Sequence, residues 1–230
     1  MRWRVMVGLA AFSAILGANL TAPSGPWLHW TAKPLATGLI ALMVWRMRQP
    51  LSRSYRRRVL AGLACSLVGD VLLMLPQDLF VPGLLAFLCA HLCFLAAFLG
   101  DSRLAARPWA LLACLGVAAL NLYLLWASIA PALRAPVIVY VLVLAAMAGQ
   151  ALARARLLAQ RGDAQAAAAR RAAAGALTFM LSDSLLAWNR FHGAIPLASV
   201  WVLSTYYLAL WWIARSVLRC DTRAVTGASQ

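Results

Sequence analysis

Eight predominantly apolar stretches, each near the length of a membrane span, follow one another along this chain. They cover roughly 3–21, 27–45, 59–75, 80–100, 108–128, 135–153, 173–189 and 197–217. A helix rising 1.5 Å per residue needs about twenty such residues to cross a hydrocarbon core ~30 Å thick. With 64% hydrophobic and 12% charged residues and a mean hydropathy of +0.80, the chain has more apolar surface than a soluble core of 230 residues can hide. The expected fold is all-α: a polytopic membrane protein with eight transmembrane helices.

A net charge of +15 would suggest a nucleic-acid partner in a soluble protein. Here the arginines fall between the apolar runs, where the positive-inside rule expects them, and no polyanion is needed. With the N-terminus inside, eighteen arginines are cytoplasmic: Arg2 and Arg4, six between Arg46 and Arg58, Arg103 and Arg107, five between Arg154 and Arg171, and Arg215, Arg219 and Arg223. Only Arg134 and Arg190 lie outside, and Lys33 lies within the second run. Both termini are thus expected in the cytoplasm. Trp27, Trp30, Trp126, Trp188 and Trp201 fall at outer ends, and Trp3, Trp45, Trp109, Trp211 and Trp212 at inner ends.

The first run resembles a signal peptide with a cleavage site in Ala18 to Ala22, but the charge count needs it as a retained helix. Pro23, Gly25 and Pro26 make a short turn, and Pro82 and Pro136 sit where a first helical turn tolerates proline. The linker Leu157 to Arg171 reads as a surface helix extension. Residues 221–230 read as a disordered cytoplasmic tail behind one transmembrane domain, 1–220. One Lys against 20 Arg, with abundant Ala, suits a GC-rich bacterial genome, which bears on codons only; the expected location is a bacterial inner membrane.

Ala61-Gly62, Asp70 and Leu72-Leu73 recur 113 residues later as Ala174-Gly175, Asp183 and Leu185-Leu186. Eight runs at that offset form a four-plus-four repeat, with halves about 1–104 and 105–220. Because four is even, the halves share orientation, and a pseudo-twofold along the membrane normal is expected. The runs contain no acid besides these two.

Depth gathers further polar residues around the pair. Counted at 1.5 Å per residue, Asp70 and Asp183 lie roughly 7–8 Å inside the outer helix ends, Lys33 about 9 Å and Tyr206 and Tyr207 about 10 Å. Ser66 is one turn from Asp70, and Asn121 enters the same outer half from the fifth run. Ionisable groups at this depth seldom face lipid. One outward-opening pocket is expected, lined by both aspartates with Lys33 in reach.

Lys33-Pro34-Leu35, Gly69-Asp70 with Leu72-Leu73, Phe80 with Gly83-Leu84 and His91, Ser182-Asp183-Ser184 with Phe191, and Tyr206-Tyr207 occur in an order and spacing that resemble the YhhN family of membrane lysoplasmalogenases. The resemblance spans nearly the whole chain. It departs at Phe94, where the family often has Tyr, and at Leu210, where it often has Gln. It implies an eight-helix membrane protein that hydrolyses the vinyl ether bond of lysoplasmalogens to a fatty aldehyde and a glycerophospho-base. Such hydrolysis protonates the carbon beta to the ether oxygen, and water captures the resulting oxocarbenium ion. One acid and one anion suffice, and Asp70 and Asp183 are the candidates, with either in either role. Lys33 and Arg190 would hold the phosphate. The tyrosines would position water or a glycerol hydroxyl, and Ser66, His91, Asn121 and Ser182 complete the candidate lining.

Plainer readings stand beside these. Asp70 and Lys33 can simply neutralise each other, His91 can be a helix-to-helix hydrogen bonder, and only one of two adjacent tyrosines is expected to reach the site. Asp78, beside Pro76 and Gln77, reads as a turn residue. Cys65, Cys89, Cys93, Cys114 and Cys220 suggest no disulfide framework, and scattered His29, His91 and His192 suggest no metal. No nucleotide or serine-nucleophile motif occurs, no cofactor is implied, and nothing indicates an oligomeric state. The rival class is a small transporter using Asp70, Asp183 and Lys33 as ion or proton sites, with a second helix broken at Pro34. All the polar residues sit in the outer half, which favours an enzyme taking lipid from one leaflet.

Overall fold

A computed structural model of the chain, describing residues 2–20 and 24–218, contains eight α-helices and no strand among those residues. They are α1 (Arg2–Asn19), α2 (Gly25–Trp45), α3 (Arg53–Met74), α4 (Phe80–Phe98), α5 (Pro108–Leu125), α6 (Pro131–Gln160), α7 (Ala166–Phe191) and α8 (Ala198–Arg215), with a 3-10 turn at Trp126–Ser128 after α5. Each helix falls on one of the eight apolar runs. Three segments, Phe80–Phe98, Pro108–Ser128 and Pro131–Gln160, are long and apolar enough to cross a membrane by length and composition. Polar residues used in the interior lie on these segments too, His91 on α4 and Tyr140, Gln150 and Arg154 on α6.

Successive helices pack side by side within each half, and the halves meet where α4 lies against α6 and α8 against α1 and α2. Two glycines show how closely neighbouring helices approach. A Cβ on Gly62 of α3 would sit 2.4 Å from the Phe94 ring of α4, and one on Gly175 of α7 would sit 2.8 Å from the Ala209 carbonyl of α8. In lipid, where apolar surface gains little from leaving its surroundings, such backbone approach is what packs helices together.

The short connections place nearly all described arginines at one end of the bundle, around residues 46–58, 99–107 and 154–171. Toward that end the interior is closed by Ile40, Val44, Val59, Leu63, Phe94, Phe98 and Ile213, all fully buried. At the same end, Gln150 and Arg154, one turn apart on α6, pin the α4–α5 loop. The Gln150 amide donates to Ser102 Oγ at 2.9 Å and to the Arg103 carbonyl at 3.2 Å, and its Oε1 accepts from the Ala105 N–H at 3.2 Å. Arg154 makes two hydrogen bonds of 2.6 Å to Asp101.

Three expectations are corrected here. Pro34 does not break α2, which runs through it; the helix forgoes one N–H bond, to the Trp30 carbonyl, while packing against α1, α3 and α8. Pro136 is the sixth residue of α6 and lies inside the helix, since α6 begins at Pro131. The linker 157–171 extends α6 and α7, but a turn at 161–165 with Gly162 at φ +63 interrupts it, and Leu158, Ala166, Ala168 and Ala169 are buried. Arg154, counted among the arginines of the cytoplasmic side, is buried and paired to Asp101. Thr21, Ala22 and Pro23, and Arg219, Cys220, Arg223 and the tail 221–230, lie outside the described residues.

Candidate active site

Asp70 sits one turn before the end of α3, with 1% of its surface exposed. Its oxygens are met from two other helices. Thr37 Oγ1 of α2 donates to Oδ2 at 2.6 Å, and the Tyr206 hydroxyl of α8 donates to the same oxygen at 2.7 Å. Lys33 Nζ, one turn from Thr37 on the same face of α2, stands 3.6 Å from Oδ1. A carboxylate has only acceptors, and a buried one needs donors and a countercharge. Asp70 has both.

Asp183 on α7 is met differently. The Tyr140 hydroxyl of α6 donates to Oδ2 at 2.5 Å, and His91 Nε2 of α4 lies 3.3 Å from that oxygen and 2.9 Å from the Tyr140 oxygen. His91 is fully buried, edge-on to Phe179 at 4.7 Å, and its Nδ1 has no hydrogen-bond partner. A hydrogen on Nδ1 would be an orphaned buried donor, so the ring hydrogen belongs on Nε2, facing both oxygens. No described lysine or arginine pairs with Asp183.

Two cavities adjoin at Asp183. The first is polar and opens between α1, α2, α3, α7 and α8; Lys33, Asp70, Tyr206, Ser182, Asp183, His29 and Asn189 line it. The second is an apolar chamber between α4, α5, α6 and α7, lined by Leu84, Leu122, Leu125, Val137, Val141, Leu144, Met180 and Ala187, with Tyr140 and Asp183 among its few polar groups. Leu73, Phe87, Asp183 and Leu186 belong to both. Phe87 is seated on Gly69, whose missing Cβ would lie 2.6 Å from the ring, and it meets Phe179 and Tyr206 edge to face.

The structure brings Asp70, Asp183, Lys33, Ser182 and Tyr206 to the polar cavity and seats His91 behind Asp183. It does not bring the other candidates there. Ser66 is buried and donates to the Gly62 carbonyl at 2.9 Å. Tyr207 points its hydroxyl at the Lys33 carbonyl, 3.4 Å away. Asn121 donates to the Val117 carbonyl, accepts from Trp188 Nε1 at 2.9 Å, and lines the apolar chamber. Arg190 pairs with Asp78 at 2.7 Å and stacks on Phe80, outside the residues that line either cavity. Ser182 faces the cavity while its hydroxyl donates to the Val202 carbonyl.

Sequence reasoning missed Thr37 and Tyr140. Thr37 had a signal, standing one turn from Lys33. Tyr140 had a weaker one, as a polar aromatic in the middle of an apolar run.

Known proteins give this geometry a context. The family model of the YhhN family matches residues 28–217. Human "Lysoplasmalogenase TMEM86B" is 36% identical over 193 residues, covering 84% of this chain and 76% of that protein. Human "Lysoplasmalogenase TMEM86A" is 35% identical over 162 residues, covering 70% and 65%. The membrane protein YhhN of Escherichia coli O157:H7 is 33% identical over 115 residues, covering 50% and 54%. No solved structure matches. A family match that begins in α2 and ends just past α8 takes in every residue of both aspartate clusters, and the chain belongs to the YhhN family.

Proposed function

We propose that this protein hydrolyses the vinyl ether bond of a lysoplasmalogen, releasing a fatty aldehyde and a glycerophospho-base, with Asp70 and Asp183 as the catalytic carboxyls. The observation that carries the reading is Asp183 at the junction of two unlike cavities, one of which it shares with Asp70. A lysolipid has a single hydrocarbon chain and a polar head joined at the ether linkage. The apolar chamber suits the chain, the polar cavity suits glycerol and phosphate, and the bond to be cut then falls beside Asp183. The names of the human relatives point to the same substrate class. Lys33 is the cation available to the phosphate, though it also neutralises Asp70.

The membrane arrangement follows from the same features. Eight crossings with both termini in the cytoplasm of a bacterial inner membrane are supported by arginines gathered at one end of the bundle. A single transmembrane domain of two related halves is supported by the aspartate clusters. Asp70 of α3 is held from α2 and α8, and Asp183 of α7 from α6 and α4. Each acid therefore takes one partner from the preceding helix and one from the fourth helix of the other half, as a pseudo-twofold requires. Gly62 against α4 and Gly175 against α8 form a second equivalent pair. The transport alternative gains no such support, because the interior beyond the cavity is filled by large apolar side chains.

Purified protein in detergent, given lysoplasmalogen, is expected to release aldehyde, and Asp70→Asn and Asp183→Asn each to abolish release while keeping the fold. Near-normal turnover by either folded variant would remove the carboxyl pair. Failure of the intact protein to release aldehyde from any alkenyl lysolipid would remove the activity.

A further inference from the structure

The two carboxyls are not interchangeable, although the halves that carry them are alike. Asp70 lines the polar cavity alone, with an ammonium 3.6 Å from Oδ1 and two hydroxyl donors on Oδ2. Asp183 lines both cavities, and its described partners are a phenol and an imidazole, both on Oδ2. Its Oδ1 takes no hydrogen bond from any described residue. We infer that Asp183 delivers the proton to the vinyl carbon from Oδ1, while Asp70 stays ionised, faces the cation and receives the proton of the attacking water. This rests on the lysoplasmalogen reading and deepens it.

The assignment follows from where each atom of the bond must lie. In an alkenyl ether the carbon that takes the proton is the second of the chain, and the carbon that becomes cationic is the first, joined to the ether oxygen. The proton acceptor thus lies on the chain side and the cation on the glycerol side. Only Asp183 touches the chamber that suits the chain. An anion must stand by the cation, and the acid paired to Lys33 and held by two hydroxyls is already organised as one. Among the described residues Asp183 has no lysine or arginine partner, and its Oδ1 takes no hydrogen bond.

The cycle closes without another reactant. The Asp183 carboxylic acid gives its proton to the second carbon, the double-bond pair forms the new C–H bond, and an oxygen lone pair completes the oxocarbenium ion. Water adds to the first carbon and passes a proton to Asp70, leaving a hemiacetal. The hemiacetal hydroxyl proton goes to Asp183 as the bond between the first carbon and the ether oxygen breaks. Asp70 returns its proton to that oxygen, now a glycerol hydroxyl. Both carboxyls end as they began, one water is consumed, and an aldehyde leaves. Tyr140 and His91 are positioning residues that hold Oδ2 so that Oδ1 faces the substrate.

Two measurements test this. In the first, Asp183→Ala and Asp70→Ala are assayed at one fixed pH with acetate buffer, which supplies both acid and anion, or with nitrate, which supplies only an anion. Aldehyde release by Asp183→Ala should return with acetate and not with nitrate, whereas Asp70→Ala should return in part with nitrate, which can stand by the cation, and further with acetate, which also takes the proton of the attacking water. The swapped pattern would overturn the assignment. In the second, infrared difference spectra of the substrate-free protein at neutral pH should show the carbonyl stretch of an un-ionised carboxylic acid that disappears in Asp183→Asn and persists in Asp70→Asn. Loss of the band in Asp70→Asn, with retention in Asp183→Asn, refutes it. The spectra need no turnover, so a band that follows Asp183 in a protein releasing no aldehyde would uphold the proton's place and reject the substrate.

Discussion

Gly69 precedes Asp70, and replacing it with alanine disturbs the wall between the two cavities without touching either carboxyl. The new Cβ would lie 2.6 Å from two atoms of the Phe87 ring, against the 3.4–4 Å of ordinary contact, so the ring must retreat by roughly 1 Å. Phe87 has little room to do so, since its ring abuts Phe179 and Tyr206 with centroids 6.2 and 5.9 Å away. Overpacking of this kind costs about 1–3 kcal/mol, and the better helix propensity of alanine returns about 1 kcal/mol. A net loss of roughly 0–2 kcal/mol is expected in thermal unfolding in detergent. Activity should suffer more, because Phe87 lines both cavities and Tyr206 the polar one, and a ~1 Å misplacement can cost on the order of 100-fold. Gly116→Ala on α5 is the control, since its Cβ meets nothing within 4 Å. Phe87→Leu in the Gly69→Ala background should restore part of both losses, with a coupling of about 0.5–3 kcal/mol in stability. If Gly69→Ala unfolds and turns over like Gly116→Ala, the Phe87 ring is not seated on Gly69.

Tyr140→Phe removes the donor on Asp183 Oδ2 and keeps the ring; a hydrogen bond to a charged group is worth about 1.5–3 kcal/mol, so aldehyde release should fall roughly 10- to 150-fold in kcat with KM little changed. An equal loss in KM would make Tyr140 a substrate contact. Lys33→Met should raise KM for lysolipids and lower kcat, whereas Arg190→Ala should change neither, because Arg190 is paired to the exposed Asp78 away from the cavities. A raised KM in Arg190→Ala would restore the rim arginine to phosphate binding. Arg154→Met should lower stability by roughly 2 kcal/mol, less than the ~3–5 of a fully buried pair because the Asp101 side chain is 33% exposed. Adding Asp101→Asn should recover much of that loss in the same denaturation assay, and a double variant no better than Arg154→Met would deny the pairing.

The eight apolar runs, the two acids at a common offset and the concentration of arginine between runs were all legible in the chain, because each is a one-dimensional pattern with a direct physical meaning. Length and hydropathy set the helices, and an acid in an apolar run marks a place where the interior must provide donors. Pro34 misled because proline removes one hydrogen bond locally, while packing against neighbouring helices decides whether a helix breaks there. Ser66 misled because a hydroxyl on the right face of α3 has a nearer acceptor in its own preceding turn, the Gly62 carbonyl. Arg190 misled because Asp78 lies 112 residues away in sequence and within hydrogen-bond reach in space.

What the sequence determined by itself was the solvent, the helix count and the presence of two acids within apolar runs. The tertiary structure alone decided their partners, and with them the difference between the two acids. Thr37, Lys33 and Tyr206 reach Asp70 from α2 and α8, and His91 and Tyr140 reach Asp183 from α4 and α6. Nothing along the chain fixes which helices of one half press against which of the other, because those contacts depend on close backbone approach at glycines and on the shapes of facing side chains. A repeated aspartate is therefore readable as a pair, while the ammonium beside one and the phenol beside the other follow only from how the halves close on each other.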